Sequence, residues 1–412
     1  MIADLSSIGL PIMYAISYFL LFNGIYLLFV RLENQNNMES PKPDKKYSIT
    51  VIVPMYNGAK HIKECVDSLL NMDYPKEKVE ILVIDDGSTD NSYEIAKKIK
   101  GIKAYRKNHA GKSAAVNYGI KKAKGELIGI LDVDSSVSQN ALIKMVGFFK
   151  DKKVAAVHSG LRAKNNDRFI EKFQELEYMF SLFFKKMFSM IDGLYVTPGV
   201  FSVFRASVFR EIGVFDTSEM SEDLEIAFRI ISKKYVIKCA IDAKTYTVVP
   251  DKFKDLTRQR VRWNCGLARN LSRYRHLLST NYGELGYFVL PFTIIGHLTI
   301  MVFFSYVLAN FTITLINNLI LMSIIGVETY LRGMLTFNMA WGFLQSKIFF
   351  YTLLTTALGI IFLYYSKKYT GSKKKWGILA IHYTLYIMVA GFVYFYFWIA
   401  TFYRIFRKDV RW

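Results

Sequence analysis

Two acidic turns and one lysine define the chemistry open to this chain. Asp132-Val133-Asp134 ends the apolar run 127–131. Carboxylates two apart at a strand end can address one Mg2+ or Mn2+ that also holds a diphosphate. Asp85-Asp86-Gly87-Ser88 ends the run 79–84 in the same way, and a carboxylate there can accept hydrogen bonds from a base or ribose. Between them lies Asn108-His109-Ala110-Gly111-Lys112, where Gly111 permits close backbone approach. Lys112, opening a helical stretch, can meet a phosphate together with free backbone N–H groups. The Gly-x-x-x-x-Gly-Lys phosphate loop is absent, because position 106 is Arg. Taken singly, these segments read as an ordinary turn, a solvated helix start and loop acidity. Taken together at one edge of a sheet, Asp86, Lys112, Asp132 and Asp134 point to a nucleotide site.

Positioning these groups needs a parallel sheet. Runs 48–53 and 79–84 flank a helical pattern over 59–70, which is a β-α-β unit. Open α/β sheets bind ligands at the carboxyl ends of such strands. Further on, Ser221-Glu222-Asp223 opens a helix continuing to 231, with Ser221 as N-cap and acids in the first turn, as local physics alone would favour. A basic amphipathic segment over 255–278 contains Gln259-Arg260-Val261-Arg262-Trp263. At helical spacing Gln259, Arg262 and Trp263 share a face, whereas Arg258, Arg260 and Arg269 suit arginines snorkelling at a membrane surface.

Much of the chain is oily: 52% of its 412 residues are hydrophobic and 16% aromatic, too apolar for two ordinary soluble domains. The apolar residues cluster at 10–30, 287–308, 311–325, 348–365 and 376–403, each readable as a membrane span, with two short spans before residue 326. Segment 10–30 reads as a retained anchor. Asp4 precedes it and Arg31 follows it, which places the soluble part in the cytoplasm. Segment 328–345 reads as interfacial or re-entrant. The expected organisation is an anchor over 1–32, a catalytic domain over 47–250 with an interfacial helix near 167–190, an interfacial segment over 251–284, membrane helices over 285–404 and a basic tail over 405–412. The net charge of +20 lies mainly in the soluble part and beside the membrane ends, which suits anionic lipid rather than nucleic acid. Cys65, Cys239 and Cys265 show no pairing or zinc-ligand spacing and read as reduced thiols.

The order Val53-Pro54-Met55-Tyr56-Asn57, Asp-Asp-Gly-Ser, His109-Ala110-Gly111-Lys112-Ser113-Ala114-Ala115-Val116-Asn117-Tyr118-Gly119 and Asp-Val-Asp resembles family 2 glycosyltransferases of the GT-A fold. The resemblance implies a Rossmann-like α/β GT-A domain, here joined to an α-helical transmembrane region, and a UDP-sugar donor. It places Pro54, Tyr56, Asp86 and Lys112 near the uracil, ribose or donor phosphates, Asp132 near the donor, and Asp134 with Asp132 on Mg2+ or Mn2+. Ser221-Glu222-Asp223 resembles the Thr-Glu-Asp motif, which makes Asp223 the catalytic base and Glu222 its neighbour. Thr197-Pro198-Gly199-Val200-Phe201 resembles an acceptor-side loop, with Gly199 and Phe201 at the acceptor. The Gln-x-x-Arg-Trp stretch resembles that of cellulose, hyaluronan and poly-N-acetylglucosamine synthases, and also that of ceramide glucosyltransferases. It implies Gln259 and Arg262 at the donor diphosphate and Trp263 under the acceptor sugar. The expectation is a multi-pass, inverting membrane enzyme that elongates, and also translocates, a β-linked polysaccharide. The alternatives are single transfer to a lipid-linked acceptor and a non-catalytic membrane scaffold.

Overall fold

A computed structural model of the chain describes residues 6–334 and 347–407. Asp4, the tail beyond 407 and the 335–345 part of the segment 328–345 lie outside the described residues. The N-terminal helix α1 (Ser6–Glu33) leads through a linker to β1 (Ile49–Met55), α2 (Ile62–Leu70), β2 (Val79–Asp85), α3 (Ser92–Lys98), β3 (Lys103–Arg106), α4 (Lys112–Lys122) and β4 (Leu127–Leu131). These strands pair in parallel in the order β3-β2-β1-β4. Met55 registers with Asp85, so both strands end at one edge and their turns emerge side by side. Every residue of β1 and β4 is buried, as expected of central strands covered on both faces.

Side chains alternate between those two faces. Ile52, Leu82, Ile84, Ile128 and Ile130 enter one core, whereas Val51, Val53, Val83, Leu127 and Leu131 enter the other. The sheet continues through β5 (Ser135–Val137), α5 (Ala141–Val146), β6 (Val154–Ala163), α6 (Phe169–Met190), β7 (Phe201–Arg205), α7 (Val208–Ile212), α8 (Glu222–Ser232) and β8 (Val236–Thr247). Beyond β4 the order is β7-β6-β8-β5; β7 runs antiparallel to β4 and β6, and β8 is parallel to β6. This reversal carries the 197–200 loop back over the end of β4.

The remaining helices are α9 (Phe253–Arg273), α10 (Leu290–Ile325), α11 (Val327–Met334), α12 (Lys347–Thr370) and α13 (Trp376–Phe406). Four helical stretches, Gly9–Glu33, Leu285–Ile325, Phe349–Thr370 and Trp376–Phe406, are long and apolar enough to cross a membrane. The two short spans expected before residue 326 are one unbroken helix, because neither Gly nor Pro occurs between His297 and Ile325 to interrupt it. At 41 residues it is roughly 60 Å long, about twice a bilayer core.

Helix α6 packs between the sheet and this helical half. It lies on β6 and β8, while Phe183 meets Phe362, Tyr365 and Tyr369, and Phe173 meets Tyr386. Arg31 donates to the Tyr369 hydroxyl at 2.9 Å, and Arg162 donates to the Thr370 carbonyl at 2.8 Å. Helix α13 touches the soluble half twice, through Tyr383 and Tyr386 against α6 and through Phe397 and Thr401 against α9. Catalytic and apolar halves therefore share one packed interface.

Candidate active site

The Asp86 carboxylate is buried and organises the loop after β3. It accepts hydrogen bonds from the Ala110 and Gly111 amides at 3.1 and 2.8 Å and pairs with Lys107 at 2.5 Å. His109 Nδ1 stands 2.9 Å from it. Gly111 adopts φ +91°, a conformation that costs glycine little, and the chain then enters α4 with Lys112 as its first residue. Tyr56 is 47% exposed and packs against His109 in a tilted arrangement with ring centroids 4.4 Å apart.

Lys112 is the junction of the site. Its Nζ lies 2.6 Å from Asp132 Oδ1 and 3.4 Å from Glu222 Oε1. Burial pulls its pKa down, but Asp132 and Glu222 overcome that and hold it above the ordinary lysine value. Burial raises Asp132 to about 6, against the pull of Lys112. Asp134 accepts from Ser135 Oγ at 3.0 Å and Thr247 Oγ1 at 3.4 Å. Asp223 stands at the start of α8, and its carbonyl accepts from Thr197 Oγ1 at 2.7 Å, tying α8 to the 197–200 loop. Burial and neighbouring Glu222 raise its pKa, opposed by Lys112 and Arg262. That makes it a stronger proton acceptor than an ordinary surface aspartate.

Lys112, Asp132, Asp134, Gly199, Glu222, Asp223, Gln259, Arg262 and Trp263 all line one cavity of about 660 Å3. The cavity continues to His297 of α10 and to Tyr394 and Trp398 of α13. Asp132 and Asp134 offer only hard oxygen donors. Among the described residues no group of three or more His, Cys, Asp or Glu side chains is placed to hold a metal. Such a pair fits Mg2+ or Mn2+, which keep waters and share their shell with substrate phosphates.

Four expected site residues, Pro54, Tyr56, Asp86 and Phe201, lie outside the cavity wall. Pro54 is buried within β1, and Tyr56 and Asp86 form a separate group beside it, where the turn after β1 meets Val133. Phe201 needs correction as an acceptor contact: it is 1% exposed and packs into the core with Val51, because alternation along β7 turns it away from the cleft. Arg260 also departs from the expectation of a snorkelling arginine. It is 4% exposed, pairs with Glu177 at 2.5 Å and lies 4.2 Å over the Trp263 ring. Gln259 Oε1 accepts from Arg260 at 3.0 Å, and Arg262 donates to the Met220 carbonyl at 3.2 Å.

Glu177, Lys185 and His158 line the cavity as well and were not anticipated. The spacing of Glu177, Ser181 and Lys185, four apart along one helical face, is the signal that could have found the first two. His158 is a lone histidine in an apolar strand, with no sequence signal to distinguish it. Burial, then Lys185, pushes its pKa down to about 3. An unfolded histidine titrates near 6.5, so below that pH the unfolded state binds a proton that the folded state refuses. Stability is therefore expected to fall with pH, by about 1.4 kcal/mol per unit between about 6 and 4. Denaturant melts of wild type and His158→Gln across that range check this, the variant losing most of the slope.

Gly199 has a steric role. A Cβ there would lie 2.7 Å from Lys112 Nζ and 3.6 Å from Asp132 Oδ2. Gly199→Ala is expected to fold normally but to push Lys112 off Asp132, lowering kcat/KM about tenfold in a steady-state assay with the far-UV spectrum unchanged.

Comparison with known proteins agrees with this architecture. Residues 50–213 match Glycosyl transferase family 2. A poly-beta-1,6-N-acetyl-D-glucosamine synthase of Staphylococcus epidermidis is 29% identical over 264 residues, 61% of this chain and 62% of that protein. One from Staphylococcus aureus (strain COL) is 31% identical over 259 residues, with the same coverage. The match thus spans just under two thirds of these relatives' length. A mannosyltransferase from Pyrobaculum calidifontis, solved in complex with GDP-Man and Mn2+, shares the fold at TM-score 0.55 and 19% identity, covering 88% of this chain and 100% of that one. The part of the chain that resembles glycosyl transferase family 2, residues 50–213, holds the acidic turns and Lys112.

Proposed function

We propose that this protein transfers a sugar from a UDP-sugar to the end of a growing β-linked glycan, with inversion, and passes the product into the cavity between its apolar helices. The observation that carries this reading is the continuity of that cavity, from the Asp132 and Asp223 carboxylates past Trp263 to His297 and Trp398. An enzyme releasing a small product into water has no need of a site that runs into its membrane helices.

In the reaction, Asp223 takes the proton from the acceptor hydroxyl as that oxygen attacks the anomeric carbon. The bond from that carbon to the diphosphate breaks in the same displacement, so one inversion occurs. The departing UDP carries the bonding electron pair as added negative charge. Lys112 and Arg262 lie where that charge develops, and both are already held against acidic or carbonyl oxygens. Trp263, with one face covered by Arg260, offers its other face to the acceptor ring. Asp132 and Asp134 would hold Mg2+ or Mn2+, which when bound neutralises diphosphate charge. Tyr56 and His109 supply a ring surface for the base, and the Asp86 clamp fixes the loop that delivers Lys112. The catalytic half faces the cytoplasm, which the basic residues Arg31, Lys367 and Lys374 at the domain ends of the spans support.

The test is incubation of reconstituted protein with a panel of UDP-sugars and Mg2+ or Mn2+, followed by sizing of the product. Long glycan supports the reading. A single sugar on a lipid acceptor overturns it in favour of lipid glycosylation.

A further inference from the structure

Helices α6 and α13 enclose a groove of about 230 Å3 that shares no lining residue with the catalytic cavity. Lys172 and His382 are its polar residues, and Phe173, Leu176, Ile381 and Leu385 supply apolar lining. The floor is aromatic. Phe173 meets Tyr386 with ring centroids 4.8 Å apart, and the Tyr386 hydroxyl stands 3.4 Å from that of Tyr394, which lines the catalytic cavity. The groove therefore lies on the outer side of the wall that bounds the candidate active site.

The charges around this groove do not balance. Lys374 pairs with Glu175, whereas among the described residues no hydrogen bond or ion pair engages the Lys172 ammonium. His382 has Lys172, Lys374 and Glu175 as its charged neighbours. Its Nδ1 is buried without a partner, which places the ring proton on Nε2, at the half-exposed side of the residue. Two donors, one of them charged, thus face the groove without an acceptor. Their depth suits a membrane interface. The stretch 367–375, with its five lysines, leads into α13, and His382 lies in the second turn of that helix. That is roughly 9 Å along it, well short of the middle of a bilayer core. Leu385 stands one turn farther from the lysines, on the surface of a helix long and apolar enough to span.

We infer that this groove seats one anionic phospholipid, its phosphate on Lys172 and His382 and one acyl chain along Phe173, Leu176 and Leu385. The phosphate oxygens accept from the ammonium and from the Nε2–H, which satisfies both donors. A chain gains little by leaving neighbouring lipid for the groove, because lipid tails are as apolar as leucine. Selection therefore rests on the headgroup. A zwitterionic choline headgroup would bring a second cation toward Lys172, whose charge no acidic group offsets. Free phosphate would satisfy the donors but leave the apolar part of the groove unfilled. A seated lipid would become part of the seam between the catalytic and apolar halves, bracing α6 one turn from Glu177, which holds Arg260 over Trp263.

The test is lipid retention by the detergent-purified full chain, read by native mass spectrometry during titration with phosphatidylglycerol or phosphatidylcholine of one acyl length. Wild type is expected to hold one phosphatidylglycerol about tenfold more tightly than phosphatidylcholine, and Lys172→Gln to lose that advantage, as befits one charge-assisted hydrogen bond. Leu385→Trp keeps both donors but fills the groove, at a position 39% exposed where a larger side chain is tolerated. It is expected to abolish the tight binding. Lys373→Gln removes an exposed lysine outside the groove and is expected to change nothing. Wild-type affinity for phosphatidylglycerol in Lys172→Gln or in Leu385→Trp overturns the inference. So does an equal loss in Lys373→Gln, which would mean diffuse attraction to a basic surface, or full displacement of the lipid by equimolar glycerol phosphate, which would mean an anion site without a chain.

Discussion

Asp223→Asn is expected to leave UDP-sugar binding at its wild-type Kd while transfer falls about a thousandfold, the usual scale for losing a positioned proton acceptor. Asparagine keeps the size and the first-turn position, so α8 and the Thr197 bond to the residue 223 carbonyl survive. What disappears is the carboxylate, whose pKa burial and Glu222 raise toward the acceptor's needs. Isothermal titration for binding and radiolabel incorporation for transfer separate the two effects. Unchanged incorporation would remove Asp223 from the role of base. A parallel loss in both assays would point instead to misfolding around Lys112, which shares Glu222 and Asp132.

Arg260→Met is expected to be the most destabilising single change in α9. Arg260 and Glu177 are both largely buried and pair at 2.5 Å. Removing one partner leaves an uncompensated charge, a loss of about 3–5 kcal/mol. The double change Arg260→Met with Glu177→Leu should recover most of that, because the desolvated anion goes with it. Thermal unfolding in detergent measures both. The double variant should still transfer poorly, since Trp263 loses the guanidinium that covers one of its faces. Full activity in the double variant would show that Trp263 does not depend on this support.

The parallel half of the sheet and its acidic turns were legible because the relevant physics is local. Alternating Val and Ile in β1, followed by a helical pattern and a second such run, admits few arrangements. Asp86, Lys112, Asp132 and Asp134 then fall at one edge by topology. Phe201 was misplaced because position in a loop motif does not say which face of the following strand it joins; the pleat of β7 decides that. Arg260 was misread because a helix wheel shows which residues share a face but not how far the helix sinks. With Glu177 opposite it, α9 is buried deeply enough that Arg260 becomes wall rather than rim. Segments 287–308 and 311–325 were read as two short spans, and the uninterrupted hydrogen bonding of α10 joins them.

Gly266, one turn beyond Trp263 on α9, lies against Ser221, where a Cβ would come within 2.1 Å of the hydroxyl. Ser221 in turn starts α8, whose Ile226, Ala227, Phe228 and Ile230 are anchored in the domain core. The helix that bears Trp263 and the helix that bears Asp223 are therefore packed in direct contact and move together. A hinged cover over the site could not swing away without dragging Asp223 off its position and breaking the core. On the proposed function, turnover would then proceed without such an opening, the product leaving lengthwise and sliding by one sugar past a stationary ring. Dissociation competes poorly with the next addition under that constraint, so retention of the chain between cycles would be a mechanical property of how two helices touch.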